Sequence, residues 1–454
     1  MKTIYYITHL LLFWLMFFSS FSQDTHHVFL NGQWKDNSLP STTDGSVYND
    51  VIGFEWNGEK YAAAGSTVGT HFIKINGSQL TETDRVNGKY FSSLITNRDV
   101  FFYDHYVYAI CDHGTSSLQI IDISYLPDSV SVVYDSDSLV MKAHSIFIDT
   151  ATAKMYICGP ENLSGNRAMD IFSLADPENP VYLSTFSQVQ YVHDIYVRND
   201  TAFMNCAYEG VWVADFSNAA FPVVFGSLNS YPDMGYNHSG WLSENGKTYV
   251  FTDETAGKRI KVCDASDISD LQVKSLFNSS GDNNTIAHNV ILKDNYVYVS
   301  HYYDGLQIFN VSDVSSPWKA GWYDTHTSDE NLMSGAWGIF VFNDNTILVS
   351  DRQEGLFSFR FDFPPVINTE MDCGIYPNPV SESGYLYINN TRDFSYEFYV
   401  YDVNGKKILE EKNLIDHYYR INTVSMADGI YFYHLKGKDN TAGFYGKFVV
   451  KNQN

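Results

Sequence analysis

The chain has 454 residues, with 53 acidic and 29 basic side chains and a net charge of −24. That acidity argues against nucleic acid and anionic membrane surfaces as partners, which would be repelled. Aromatic residues make up 16% of the chain, with 34 Tyr and 31 Phe, the usage of pleated strands rather than helices. Few runs carry the i, i+3, i+4 spacing of a packed helix, so the expected class is all-β.

Residues 1–22 read as a signal peptide: Lys2 supplies the charge, Leu10 to Phe18 the apolar core and Ser19 to Gln23 the small polar end. The apolar core is short of the roughly 20 residues of a membrane span. No later segment is apolar enough to cross a bilayer. The mature protein is therefore expected outside the cytoplasm, without a transmembrane segment.

From there one plan recurs. A polar residue opens each unit, at Asp50, Asp99, Ser145, Asp194, Ser239, Asn289 and Gly338, at intervals of 49, 46, 49, 45, 50 and 49 residues. Each unit then has an apolar run, a turn signal, a second apolar run, a second turn and a third run. The first turns carry Asn57-Gly58, Asp104-His105, Asp149-Thr150, Asn199-Asp200, Asn245-Gly246, Asp294-Asn295 and Asn343-Asp344, types that tolerate positive φ. Glu209-Gly210, Asp304-Gly305 and Glu354-Gly355 mark second turns. Cys111, Cys158 and Cys206 end the second runs of three units, where Thr252, Ser300 and Ser350 stand in others. This position reads as small and buried rather than as part of a disulfide framework. None of the five cysteines forms a CxxC pair, so zinc spacing is absent.

A period of 45 to 50 residues with strand patterning predicts a β-propeller with one four-stranded blade per period. The seventh unit supplies three strands before Phe363-Pro364-Pro365, and its open edge needs a cover. Val28 to Trp34 fits: Trp34 precedes Asp50 by 16 residues, as Trp322 precedes Gly338. The expectation is a seven-bladed β-propeller over 24–363, closed by an N-terminal strand, rather than an open stack of repeats. A linker over 364–371 and a small C-terminal β-sandwich over 372–454 follow.

The residues Tyr48-Asn49-Asp50-Val51-Ile52-Gly53, Asn97-Arg98-Asp99, Ala143-His144, Val192-His193-Asp194, His238-Ser239-Gly240-Trp241, Ala287-His288-Asn289 and Asp304-Gly305-Leu306 resemble the "choice-of-anchor B" surface proteins. Third runs such as Leu118-Gln119-Ile120-Ile121-Asp122 look like the LVIVD repeat of extracellular propellers. The resemblance covers about residues 28–362; Ile52 departs from it, standing where the family has tryptophan. It implies a secreted or surface-displayed propeller and no established reaction. Downstream, Tyr376-Pro377-Asn378-Pro379-Val380, Val400 to Lys406, Met426 to Phe432 and Lys447-Phe448-Val449-Val450 resemble the C-terminal sorting domain of the type IX secretion system. That implies the type IX machinery of a Gram-negative bacterium as a partner, and a product at the outer-membrane surface or released.

In a propeller the first strands line a central channel, and the loops entering them share a face with the turns between second and third strands. His144, His193, His238 and His288 then form a partial ring at the channel mouth, with Asp50, Asp99, Asp194 and Asn289 near them. The second turns add Asp112, His113, Glu209, Asp253, Glu254, His301, Asp304, Asp351 and Glu354. Three readings stay open. Repeated polar residues commonly hydrogen-bond the next blade's backbone. The mouth, with His144, His193, Asp194, His238, His288 and Asn289, also suits an unidentified extracellular ligand. A metal is the third: a transition metal on His193, His238, His288 and Asp253, or calcium on the oxygens. The function expected is a non-enzymatic binding or adhesion module; the alternative is a metal-dependent hydrolase using the axial His and carboxylate cluster. No GxSxG, P-loop or GxGxxG motif occurs. The polar loop Thr325 to Ser334 reads as a surface excursion, and Asp122, Asp264 and Asp313 as turn caps.

Overall fold

The computed structural model describes residues 25–90, 92–162, 165–279, 284–326, 332–362, 372–376, 378–381, 383–389, 396–414, 418–437 and 443–451. The expected signal segment 1–22, the linker 364–371 and residues 327–331 of the Thr325 loop lie outside the described residues. Among the described residues every regular element is a strand, and no helix is long and apolar enough to cross a membrane.

Seven antiparallel sheets follow one another along residues 25–362. Their first strands are Tyr48–Trp56, Arg98–Tyr103, Ser145–Asp149, Asp194–Arg198, Asn237–Leu242, Val290–Lys293 and Ala336–Val341, and the sheets are numbered 1 to 7 in that order. Each first strand packs against the next, and that of sheet 7 packs against that of sheet 1, so the order closes on itself. Val28–Trp34 is the outer strand of sheet 7, paired antiparallel with Gly355–Phe361, with Trp34 opposite Leu356. The spacing of Trp34 from Asp50 anticipated this position. Two features had no sequence signal. Thr25–His26 adds a fifth strand outside Trp318–Tyr323 in sheet 6, and a small hairpin, Glu161–Asn162 with Gly165–Asn166, is inserted in sheet 3.

Second strands are buried along most of their length, and Tyr106–Cys111 and Tyr296–Ser300 along all of it, because a neighbouring sheet covers each face. That is why they read as unbroken aromatic and β-branched runs rather than as alternation. Tyr108, Tyr156, Phe203 and Tyr298 each take the third position of a second strand and are fully buried. Each such ring contributes about 1.5–3 kcal/mol by burial. Clusters spanning neighbouring sheets form the core. One joins Tyr298 and Ile308 of sheet 6 to Val349 and Phe359 of sheet 7, and another joins Ile73 of sheet 1 to Leu348 of sheet 7.

The turns carry the expected backbone. Asn57, Asp104, Asn199, Asp200 and Asp294 have positive φ, as do Gly210, Gly305 and Gly355. Two first turns differ in detail. In sheet 3 the positive φ falls at Ala153, because Asp149 accepts hydrogen bonds from Ala151 N and Thr152 Oγ1 and the turn is longer. In sheet 7 it falls at Asn345 rather than at Asn343 or Asp344.

Residues beyond 371 form a three-stranded sheet of Asp372–Tyr376, Ser383–Asn389 and Tyr418–Asn422. A four-stranded sheet of Lys407–Leu414, Tyr396–Tyr401, Gly429–Gly437 and Gly443–Val450 accompanies it. Cys373, Leu386 and Ile421 of the first share one apolar cluster with Phe398, Leu435 and Phe448 of the second.

Candidate functional site

In sheets 3 to 7 the residue just before the opening position turns inward at one end of the ring of first strands. Reading from sheet 3 to sheet 7 it is His144, His193, His238, His288 and Trp337, all in contact. Successive ring centroids lie 4.2, 4.2, 4.3 and 4.1 Å apart. The four histidines the sequence singled out are thus brought into one arc. Trp337, which sequence reasoning passed over, ends it, and the Arg352 guanidinium covers the Trp337 ring at 4.7 Å. The signal for Trp337 was available, since it holds the same repeat position as the histidines.

Backbone carbonyls of the next sheet set the ring orientations. His193 Nδ1 faces His238 O at 3.4 Å and His288 Nδ1 faces Trp337 O at 2.7 Å. Such a contact places the proton on Nδ1 and leaves a lone pair on Nε2. Burial lowers the imidazole pKa values of His144, His193 and His288 and takes that of His238 down to about 3, so the arc is neutral at ordinary pH.

A second polar layer lies beside the arc. Asp99 accepts from its neighbour Val100 N at 2.8 Å and, across to sheet 3, from Ile146 N at 2.8 Å. Ser145 donates to Asp194 of sheet 4 at 2.9 Å. Asp50 and Asp99 hydrogen-bond each other, and burial raises the pKa of Asp50 to about 6 and of Asp99 well above the carboxylate range. Asp194 is likewise pushed up by burial to about 6. Gly338 leaves room for this layer: a Cβ there would lie 2.1 Å from Asp50 Oδ1. Hydroxyls at the ends of second strands complete the ties. Thr252 donates to His288 O at 2.6 Å, Ser300 to Trp337 O and Ser350 to Asn49 O. Arc and carboxylates together line a cavity of about 40 Å³. Asn289 lines it too, and beyond it a cavity of about 180 Å³ runs between the opening residues and the side chains that follow them.

Most of the turn carboxylates serve their own loops. Asp112 accepts from Thr96, Glu209 from Gln190 N, Asp351 from Thr325 and from Gln353 N, and Glu354 from Lys35. His301 pairs with Asn278, and His113 lies beside Tyr90. Asp253 is engaged elsewhere: its carboxylate meets Lys261 Nζ at 2.6 Å, Tyr231 Oη at 2.9 Å and Gly235 N at 2.7 Å. Its neighbour Glu254 is the carboxylate that turns to the arc, with Oε2 3.7 Å from His238 Nε2. Tyr302 donates to Glu254 Oε1. His193, His238 and Glu254 each place one ligand-type atom within 4.8 Å of the other two. Beside His144 a wider recess of about 500 Å³ is lined by Lys142, Glu161, Arg167 and Tyr191. The five cysteines are buried and unpaired with one another.

No curated protein sequence matches the chain. Among solved structures, one titled "Structure of U3-55K" covers 73% of this chain and 98% of its own, at 9% identity and a TM-score of 0.52. One of "RRP9 WD40 repeats" covers 74% and 97%, at 10% identity and a TM-score of 0.50. These likenesses show a fold of the β-propeller, WD40-like kind and nothing of function. PorZ, a surface component of the type IX secretion system of Porphyromonas gingivalis, overlaps 92% of this chain at 11% identity and a TM-score of 0.49. The chain spans 61% of that protein's length. Residues 374–451 match the family described as "Secretion system C-terminal sorting domain". The chain thus carries a type IX sorting tail, which directs a protein to the cell surface or the extracellular space.

Proposed function

We propose that the chain is an exported seven-bladed β-propeller of the choice-of-anchor B, LVIVD-repeat kind, closed by Val28–Trp34, which acts as a binding or adhesion module outside the cell. Its domains run 1–22 signal peptide, 24–363 propeller, 364–371 linker and 372–454 sandwich-shaped sorting domain. Seven sheets whose first strands pack in a closed order support the blade count, and one apolar cluster shared by two sheets supports the sandwich. A binding role is favoured over catalysis because the axial polar groups are bonded to neighbouring backbone, as with Asp99 to Ile146 N and Thr252 to His288 O.

The observation that carries the binding role lies on the rim. Three consecutive outer strands expose apolar side chains: Val132 and Val133 in sheet 2, Val181, Tyr182 and Leu183 in sheet 3, Val223 and Phe225 in sheet 4. The outer strand of sheet 1, Gln79–Asn87, is polar by contrast. Exposed apolar side chains on open strand edges are a site for strand addition by an extended protein segment. Sheet 6 already accepts such a strand, Thr25–His26, from its own chain. The test is adhesion of cells displaying the full chain to immobilised surface proteins. The double variant Val181→Lys, Val223→Lys is expected to lose at least tenfold in retained cells while its melting temperature holds. Unchanged retention would sink the reading. Removing residues 372–454 is expected to keep the protein inside the outer membrane.

A further inference from the structure

We infer that the channel mouth binds one divalent transition-metal ion of the zinc class, held by ring nitrogens of His193 and His238 and by the Glu254 carboxylate. Three kinds of observation meet here. The first is distance. The three ligand-type atoms lie within 4.8 Å of one another, and His238 Nε2 and Glu254 Oε2 are 3.7 Å apart. A tetrahedral site with 2.0–2.1 Å bonds has edges of about 3.4 Å, so small side-chain rotations complete it.

The second is orientation by surrounding groups. A metal-binding histidine characteristically gives its other N–H to a backbone carbonyl, and a ligating carboxylate is itself hydrogen-bonded. His193 Nδ1 faces His238 O at 3.4 Å, which leaves Nε2 as its ligand atom. Tyr302 donates to Glu254 Oε1 and leaves Oε2 for a cation. Sheets 4 and 5 supply the ligands and sheet 6 the tyrosine, so rigid strand ends hold the group.

The third is charge. Glu254 is largely buried, and among the described residues its one ion-pair partner within 4.0 Å is the imidazole of His238. A buried carboxylate is normally paired with a cation or bound to a metal. The donor set decides which metal. Two imidazoles and a single carboxylate suit zinc, cobalt or nickel, whereas calcium takes six to eight oxygens. The adjoining cavity of about 40 Å³ leaves room for water at the remaining position. The site differs from the set of His193, His238, His288 and Asp253 expected from sequence: His288 is not among the three grouped ligands, and Glu254 replaces Asp253, whose oxygens are taken by Lys261, Tyr231 and Gly235.

The test uses the full chain without a polyhistidine tag, stripped by chelation and titrated with Co²⁺. The expected result is one Co²⁺ per chain, with the visible absorption of a four-coordinate site that Zn²⁺ abolishes. Glu254→Gln keeps the shape of the side chain and is expected to weaken Co²⁺ binding at least tenfold. Tyr302→Phe is expected to weaken it about 10- to 100-fold through the lost orientation of the carboxylate. His238→Ala is expected to abolish the signal; should it fail to fold, Glu254→Gln alone decides. Lack of stoichiometric uptake by the unaltered chain, or uptake unchanged in Glu254→Gln, overturns the inference.

Discussion

The seams between sheets 5, 6, 7 and 1 and those between sheets 2, 3, 4 and 5 solve the same problem differently. Each strand end near the axis buries carbonyls that need a donor. In the first group a hydroxyl at the end of the second strand reaches across: Thr252 to His288 O, Ser300 to Trp337 O, Ser350 to Asn49 O. In the second group the same position holds Cys111, Cys158 and Cys206. The thiols of Cys111 and Cys206 face oxygens of their own sheets, His113 O at 3.9 Å and Met204 O at 3.5 Å. There the crossing bonds come from the opening residues: Asp99 takes Ile146 N, and Ser145 donates to Asp194. A repeat thus conserves the need for a tie across each seam while leaving open which residue supplies it.

Three variants separate the two solutions. The largest effect is expected in the thiol half. Asp99→Ala removes the acceptor for two backbone donors and the partner of Asp50, and should cost about 2–4 kcal/mol in denaturant unfolding. A cost below about 1 kcal/mol would mean that these seams are held by packing alone.

Next is a pH effect at Asp50. Burial raises its folded pKa from 3.8 to about 6. The folded state therefore holds the proton more tightly than the unfolded chain. The associated stability is present below about pH 4 and is lost as pH rises through about 6. Asp50→Asn carries no such loss, so its stability relative to the unaltered chain should climb between pH 5 and pH 8 by about 1.4 kcal/mol. A flat difference across that range would remove the carboxylate layer as a determinant of stability.

The smallest effect belongs to the hydroxyl half. Ser350→Cys converts one seam to the other type, replacing the donor to Asn49 O with a weak one. It should cost about 1 kcal/mol, read as a lowered denaturant midpoint at unchanged slope. A neutral result would show the two seam types to be interchangeable.

The repeat was legible because its punctuation is chemical. Asn57, Asp104, Asp294, Gly210, Gly305 and Gly355 stand where the backbone has positive φ, and residues that tolerate it are few. The closing strand could be placed because Trp34 and Trp322 keep the same distance from their next opening residue. Thr25–His26 escaped notice because two residues carry no periodicity. At the site, the histidines showed themselves by recurrence. The choice between Asp253 and Glu254 did not, since neighbours at a strand end point to opposite sides. Which side faces the axis depends on Lys261 and Tyr231, eight residues ahead and 22 behind. Arg352 over Trp337 was hidden for the same reason, a contact between a turn residue and the first strand of the same sheet that no local pattern encodes.

The pairing of Val28–Trp34 with Gly355–Phe361 joins almost the first described residues to the last before the sorting tail. A chain cut short before residue 355 lacks both the partner for that strand and the export address, so incomplete rings carry no ticket out. Only a polypeptide long enough to lock its circle presents the signal that releases it.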